Sequence, residues 1–340
     1  MVGREHVLPT IDILTECSNM GFMRRFGKLF LICTLLGGIS TIVFLNNNFL
    51  NNSQKDQLSA IAKSKPSIPQ NPDVLNIPNS AGEKLEFQQL MRSLSDRQLS
   101  KLPIDEVIQV VSSKLLGATY REGLLDQGET EKLFVSLTEF DCVLFVETVL
   151  ALSRNLLSPT PTYENFVQNI QEVRYANGKL DGYCSRLHYF SEWIRDNQKR
   201  NIVRDITTKL GGIPLNKTLN FMSNNWQKYS RLKSNQANYQ CILAMEQKIE
   251  IELKSEQLRY IPSAKIKSIY PLLKAGDIIA VTTDLKGIDV THTGFVYPTP
   301  NGIGFIHASP SGKVKISPDL QRYVERVDHA IGIMVARPVN

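Results

Sequence analysis

A thiol, two imidazoles and a helix start are the groups in this chain best suited to covalent chemistry. Cys142 directly follows Asp141, and Leu144, Phe145, Thr148, Leu152 and Leu156 recur at helical spacing until Pro159 ends the pattern. Asp141 is the N-cap candidate, so the thiol falls on the first turn, where unpaired N–H groups and the helix macrodipole favour a thiolate. Taken alone, a cysteine opening an apolar helix is more often a small buried hydrophobe. Two histidines shift that balance. His292 precedes the apolar stretch Gly294 to Tyr297, and His307 ends the next one, across a connection containing Pro298, Pro300 and Gly302. Neighbouring antiparallel strands would join the two rings, His292 taking the thiol proton and His307 orienting it.

Other polar residues read as structural. His188 lies among Leu187, Tyr189 and Phe190 as a packed or helix-edge histidine, and His329 stands beside Asp328 as a solvated pair. Glu147 falls inside the apolar helix and needs a buried partner, for which Arg186 is the candidate. Asp277, after Gly276, fixes a turn at a strand start, and Asp289 either caps a loop or binds an amine. Past the N-terminal segment the cysteines are Cys142, Cys184 and Cys241, an odd trio that makes a poor disulfide framework. Without a Cys-x-x-Cys pair a closed structural zinc site is not expected. An open zinc site on Cys142, His292 and His307 lacks any fourth ligand, so neither metal nor cofactor is expected.

The elements that must hold these groups divide the chain. Residues 1–45 hold the uncharged apolar run Leu29 to Leu45, preceded by Arg24, Arg25 and Lys28. Its length falls between a signal's apolar stretch and a full span, and no small-residue cleavage pattern follows. We expect an export signal or, slightly favoured, an uncleaved membrane anchor with its basic flank in the cytoplasm. Met23 offers a second candidate start. Residues 46–83, broken by Pro66, Pro69, Pro72 and Pro78, read as a flexible linker. Ordered patterning fills residues 84–340: helices from Glu83, from Ile104 to Leu116, from Asp141, from Arg186 to Arg195, from Leu219 to Leu232 and from Tyr239 to Leu253. After Pro262 come four short apolar strands. Helices followed by an antiparallel meander predict an α+β domain with helices on one face of a sheet.

Composition fits that plan. The chain has 340 residues, 42% hydrophobic and 21% charged, enough to bury an ordinary core. Its net charge of +6 contains no Lys/Arg run longer than two. That suits an anionic surface or polymer and argues against nucleic-acid binding.

In order along residues 84–340, several blocks resemble the NlpC-type cell-wall peptidases, and more closely their N-acetylmuramoyl-L-alanine amidase-like branch. They are Leu116 to Tyr120, Phe140 to Leu152, Gly182 to Ile194, Asn220 to Ser223, Lys274 to Ile279, Gly287 to Phe295 and Phe305 to Ser309. The resemblance implies a papain-like cysteine hydrolase fold and hydrolysis of amide bonds in peptidoglycan or muropeptide fragments on the periplasmic side of the bacterial inner membrane. It carries over Cys142 as nucleophile, His292 as base, His307 as third member and Tyr120 as an aid to the oxyanion. It also places Ser185, Arg186 and Tyr189 near the substrate cleft. Thr293 departs from the usual small apolar residue. Stem-peptide cleavage, or a silent wall-binding module of the same fold, remain the alternatives.

Overall fold

The computed structural model describes residues 81–94, 98–300 and 302–340. The export or anchor segment of residues 1–45 and almost all of the expected linker lie outside them, although the first helix begins at Ala81, inside the linker's expected bounds. Among the described residues no helix is long and apolar enough to cross a membrane.

The helices are α1 (Ala81–Leu94), α2 (Ile104–Lys114), α3 (Cys142–Leu157), α4 (Tyr163–Arg174), α5 (Phe190–Lys199), the short α6 (Phe221–Asn224) and α7 (Ser230–Lys233), α8 (Gln236–Ser255) and α9 (Leu320–Val324). The strands are β1 (Thr119–Tyr120), β2 (Glu139–Phe140), β3 (Val203–Asp205), β4 (Ile213–Pro214), β5 (Arg259–Pro262), β6 (Ile278–Thr283), β7 (Val290–Thr299), β8 (Gly302–Ser309), β9 (Lys313–Ser317) and β10 (Ala330–Pro338). They join in the order β2-β1-β9-β8-β7-β6-β10-β5-β4, with β3 also on β10. Only the β1–β2 pair is parallel among the described strands.

The α+β class holds, and two details differ from expectation. Short strands before Pro262, and a fifth strand after it, β9, extend the meander at both ends. The sheet is also covered twice. Ile278, Ala280, Phe295, Ile306, Ala308 and Met334 face the core built with α1 to α5, whereas Ile279, Val281, Val296, Phe305, Ile333 and Val335 face a second core closed by α9 and the 3-10 segment Ser263–Leu272. Burial on both faces explains why β6 reads as an unbroken apolar run, without the alternation of a half-exposed strand.

The helix bounds differ where caps and turns decide them. The Arg186 helix starts only at Phe190, because Tyr183–Ser185 form a 3-10 turn first and the Asp289 carboxylate accepts the N–H of Ser191 at 2.7 Å. The expected helix at Leu219–Leu232 is instead α6, a 3-10 turn at Trp226–Lys228, and α7. Cys184 and Cys241 form a disulfide, with Cα atoms 6.2 Å apart. This corrects the reading of the odd trio as a poor disulfide framework: two of the three pair, and Cys142 is the cysteine outside the disulfide among the described residues.

Candidate active site

The N-cap expectation holds at Asp141, whose side chain accepts the N–H of Leu144 at 2.7 Å and opens α3. Burial raises the Asp141 carboxyl to about 7, against the opposing pull of that N–H, with Glu147 adding to the rise. Cys142 follows on the first turn and is buried. Its helix lies along the sheet, where the ring of Phe145 meets that of Phe295 of β7 at 6.0 Å.

Tyr120 enters the same neighbourhood through the sheet. β1 and β2 run parallel with Tyr120 opposite Phe140, two residues before Cys142. The phenol donates to Glu122 at 3.0 Å. Burial first, and then the negative charge available at Cys142, Glu122 and Asp141, raise its pKa, so Tyr120 keeps its proton. A protonated phenol beside the thiol can donate to a developing oxyanion once it turns from Glu122.

The two imidazoles meet as expected. His292 Nε2 lies 2.8 Å from His307 Nδ1, and His307 Nε2 lies 3.2 Å from Ser317 Oγ. His292 Nδ1 is buried without a hydrogen-bond partner among the described residues. Around the pair, the ring of Tyr323 lies 4.6 Å from that of His307, and Phe305 stacks on His307 at 4.8 Å. Burial, then the charge of Lys315, lowers His292 to about 3. His307 is lowered too, by burial first and then by His292 and Lys315. Both rings are therefore neutral at ordinary pH.

Strand register decides which way these rings point. His292 stands opposite Val281 and shares the α9 side of the sheet with it, whereas Phe295, three residues later, faces α3. The register shifts between Val281 and Thr282, so that Val290 returns to the α3 side. Gly294 leaves room for the neighbouring strand, since a Cβ there would sit 2.8 Å from His307 Cβ. The structure thus joins His292 with His307, and Tyr120 with Cys142. Cys142 at the start of α3 and His292 on the α9 side of β7 are held by different elements.

The remaining candidates serve the frame. Arg186 is buried, donating to Leu125 O at 3.1 Å and Asp126 at 3.2 Å, with its guanidinium over the Tyr183 ring. Tyr189 is buried and donates to Glu246 at 2.7 Å while accepting the N–H of Met222. Ser185 ties a turn, donating to Gly182 O and accepting the N–H of Asp181, each at 2.8 Å. For Arg186 and Tyr189 this corrects the cleft-lining expectation, because their polar atoms are turned inward and engaged. Glu147 pairs with Arg174 at 2.7 Å, and the charge of Arg186, the expected partner, also acts on it. Asp277 fixes its turn as expected, accepting the N–H of Lys274 and both arms of Arg337. His188 is packed, with Nε2 2.9 Å from Tyr183 O, and His329 pairs with Asp284 at 2.9 Å. Ser317 went unmarked, because a serine near a chain of charged and polar residues carries no distinguishing spacing. Among the described residues no group of three or more His, Cys, Asp or Glu side chains is placed to hold a metal ion.

A mixed sheet covered on both faces, with a cysteine at a helix start and a histidine pair on adjacent strands, defines the class. The chain belongs to the AmiA-like, N-acetylmuramoyl-L-alanine amidase-like family, whose pattern matches residues 110–333. An N-acetylmuramoyl-L-alanine amidase from Bacteroides uniformis is similar at 32% identity, with a TM-score of 0.63 over 70% of this chain and 99% of that one. A Bacteroides fragilis protein given a provisional xylanase name is 31% identical, with a TM-score of 0.60 over 67% and 99%. A Legionella pneumophila protein shares the fold at 23% identity, with a TM-score of 0.58 over 77% and 97%. Comparison with curated proteins gives no match.

Proposed function

We propose that this chain is a cysteine-dependent hydrolase of papain-like, NlpC-type mechanism that cleaves the amide between the muramoyl lactyl group and L-alanine in peptidoglycan or its fragments. The observation that carries this reading is the buried His292–His307 pair, joined at 2.8 Å, with His292 Nδ1 unpartnered among the described residues. A neutral imidazole with one open nitrogen is a general base awaiting a proton. Cys142 supplies that proton at the start of α3, and catalysis requires its sulfur to meet Nδ1 at the end of β7. The thiolate adds to the lactyl carbonyl carbon, and the oxyanion is held by the Cys142 N–H and the Tyr120 phenol. The C–N bond then breaks as His292 returns the proton to the departing alanine nitrogen. Water, activated by the same imidazole, hydrolyses the thioester.

Export supports this substrate. The Cys184–Cys241 disulfide suits an oxidising compartment, and the apolar run Leu29 to Leu45 behind its basic flank suits transfer to, or anchoring at, the periplasmic side of the membrane. The test is digestion of purified muropeptides by the full chain and its Cys142→Ala variant, with products weighed by mass spectrometry. Free peptides beginning in L-alanine, lost in the variant, are expected. Stem fragments left on sugar would reassign the bond, and equal activity in the variant would remove the cysteine mechanism.

A further inference from the structure

We infer that Ser317 is a positioning residue whose hydroxyl oxygen, by accepting the His307 Nε2 proton, holds His292 in the tautomer that can act as a base. This rests on the reading of His292 as base and extends the histidine pair by one member. Ser317 lies on β9 opposite Phe305, two residues beyond Lys315, which stands opposite His307. Its side chain therefore shares the face of the two rings, and Oγ lies 3.2 Å from His307 Nε2.

Only two proton arrangements connect these three groups. If Ser317 donates to His307 Nε2, His307 must carry its proton on Nδ1 and donate it to His292 Nε2. His292 then holds its own proton on Nδ1, where no partner exists among the described residues. A buried N–H without an acceptor is the rarer and costlier outcome. If Ser317 accepts, His307 carries Nε2–H and His292 carries Nε2–H, so every ring N–H has an acceptor. His292 Nδ1 is then a bare lone pair. The second arrangement is the one a base needs, and the serine oxygen at the far end makes it available.

The inference is tested with the full chain, labelled with 15N in its imidazoles, in three variants. Ser317→Val keeps the shape of threonine without an oxygen, Ser317→Thr keeps the oxygen, and Ser317→Ala is the smallest change. In the wild type and Ser317→Thr, nitrogen shifts near neutral pH should show His292 and His307 protonated on Nε2. In Ser317→Val and Ser317→Ala the two rings should populate Nδ1–H forms. The kcat/KM for release of L-alanine peptides from muropeptides should fall about tenfold, carried in kcat, the size expected from losing roughly one hydrogen bond. Unchanged tautomers in folded Ser317→Val or Ser317→Ala would overturn the role of Ser317. An active His292→Asn variant would instead overturn the base reading, whatever the tautomers of Ser317→Val show.

Discussion

Arg174 Nε lies 2.7 Å from a carboxylate oxygen of Glu147, and both side chains are sealed from water. The other Glu147 oxygen accepts the indole N–H of Trp193 at 3.2 Å, so one carboxylate in the middle of α3 ties that helix to α4 and α5. Burial raises the Glu147 pKa despite the attraction of Arg174, which marks the pair as a costly one kept intact by its partners. Glu147→Ala should therefore cost about 3–5 kcal/mol in urea unfolding, because it strands a buried guanidinium. The double variant Glu147→Leu with Arg174→Met should recover most of that loss. A single variant within about 0.5 kcal/mol of wild type would show that the pair does not hold α3.

The spacing of β7 and β8 is set at Gly294. A Cβ there would lie 2.5 Å from Ile306 O and 2.8 Å from His307 Cβ, and neither atom belongs to a flexible side-chain tip. Gly294→Ala should part the two strands, lowering stability by about 1–3 kcal/mol. It should also reduce turnover more than tenfold by lengthening the His292–His307 contact, a loss of about 1.4 kcal/mol or more in the barrier. Paired measurement of unfolding and muropeptide turnover checks both. Full turnover at reduced stability would separate the histidine contact from catalysis.

The disulfide closes a loop of 57 residues between the turn at Tyr183–Ser185 and α8. By loop entropy such a closure contributes about 4 kcal/mol, within a usual range of about 2–4. Cys184→Ser with Cys241→Ser, or reduction under native conditions, should lower the melting temperature by several degrees. Melting curves with and without reductant decide it. Superimposable curves would show that the two thiols do not pair in the folded protein.

Much of the site was legible because helix starts and strand order speak through residue type. Asp141 as a cap, Cys142 behind it and the two histidines on adjacent strands follow from local pattern, and the structure puts the first in its cap and the last two in contact. Partner choice was less legible, since Glu147 pairs with Arg174 of α4 and His329 with Asp284, neither of which the local pattern offered. Those pairings depend on how helices and loops cross, which no local spacing encodes. The orientation of Arg186 and Tyr189 was hidden for the same reason. The resemblance implied a place at the cleft, while the inward turn toward Asp126 and Glu246 is decided by tertiary contacts. The Cys184–Cys241 bond was missed because an odd cysteine count conceals one pair beside one remaining thiol.

The histidine pair should also leave a signature in stability against pH. Burial, and after it Lys315, hold His292 at about 3, whereas an unfolded chain titrates it near its ordinary 6.5. Above pH 6.5 neither state binds the proton and the contribution to stability is complete. As pH falls from 6.5 toward 3 the unfolded state takes up the proton first, so stability declines with falling pH, by at most about 1.4 kcal/mol per pH unit for one group. His307 and His188, both lowered by burial, act in the same direction. Asp141 opposes them: raised to about 7 by burial, it favours the folded state at low pH and withdraws that support as pH climbs from its ordinary 3.8 toward 7. The raw curve therefore mixes two signs, and the difference between wild type and His292→Asn isolates one of them. Urea unfolding from pH 7.5 to 5.0 should show the wild type losing roughly 1–2 kcal/mol more than His292→Asn between pH 6.5 and 5.0. Parallel curves would mean that His292 ionises in the folded protein at its ordinary pH, and the neutral, waiting base would be lost with it.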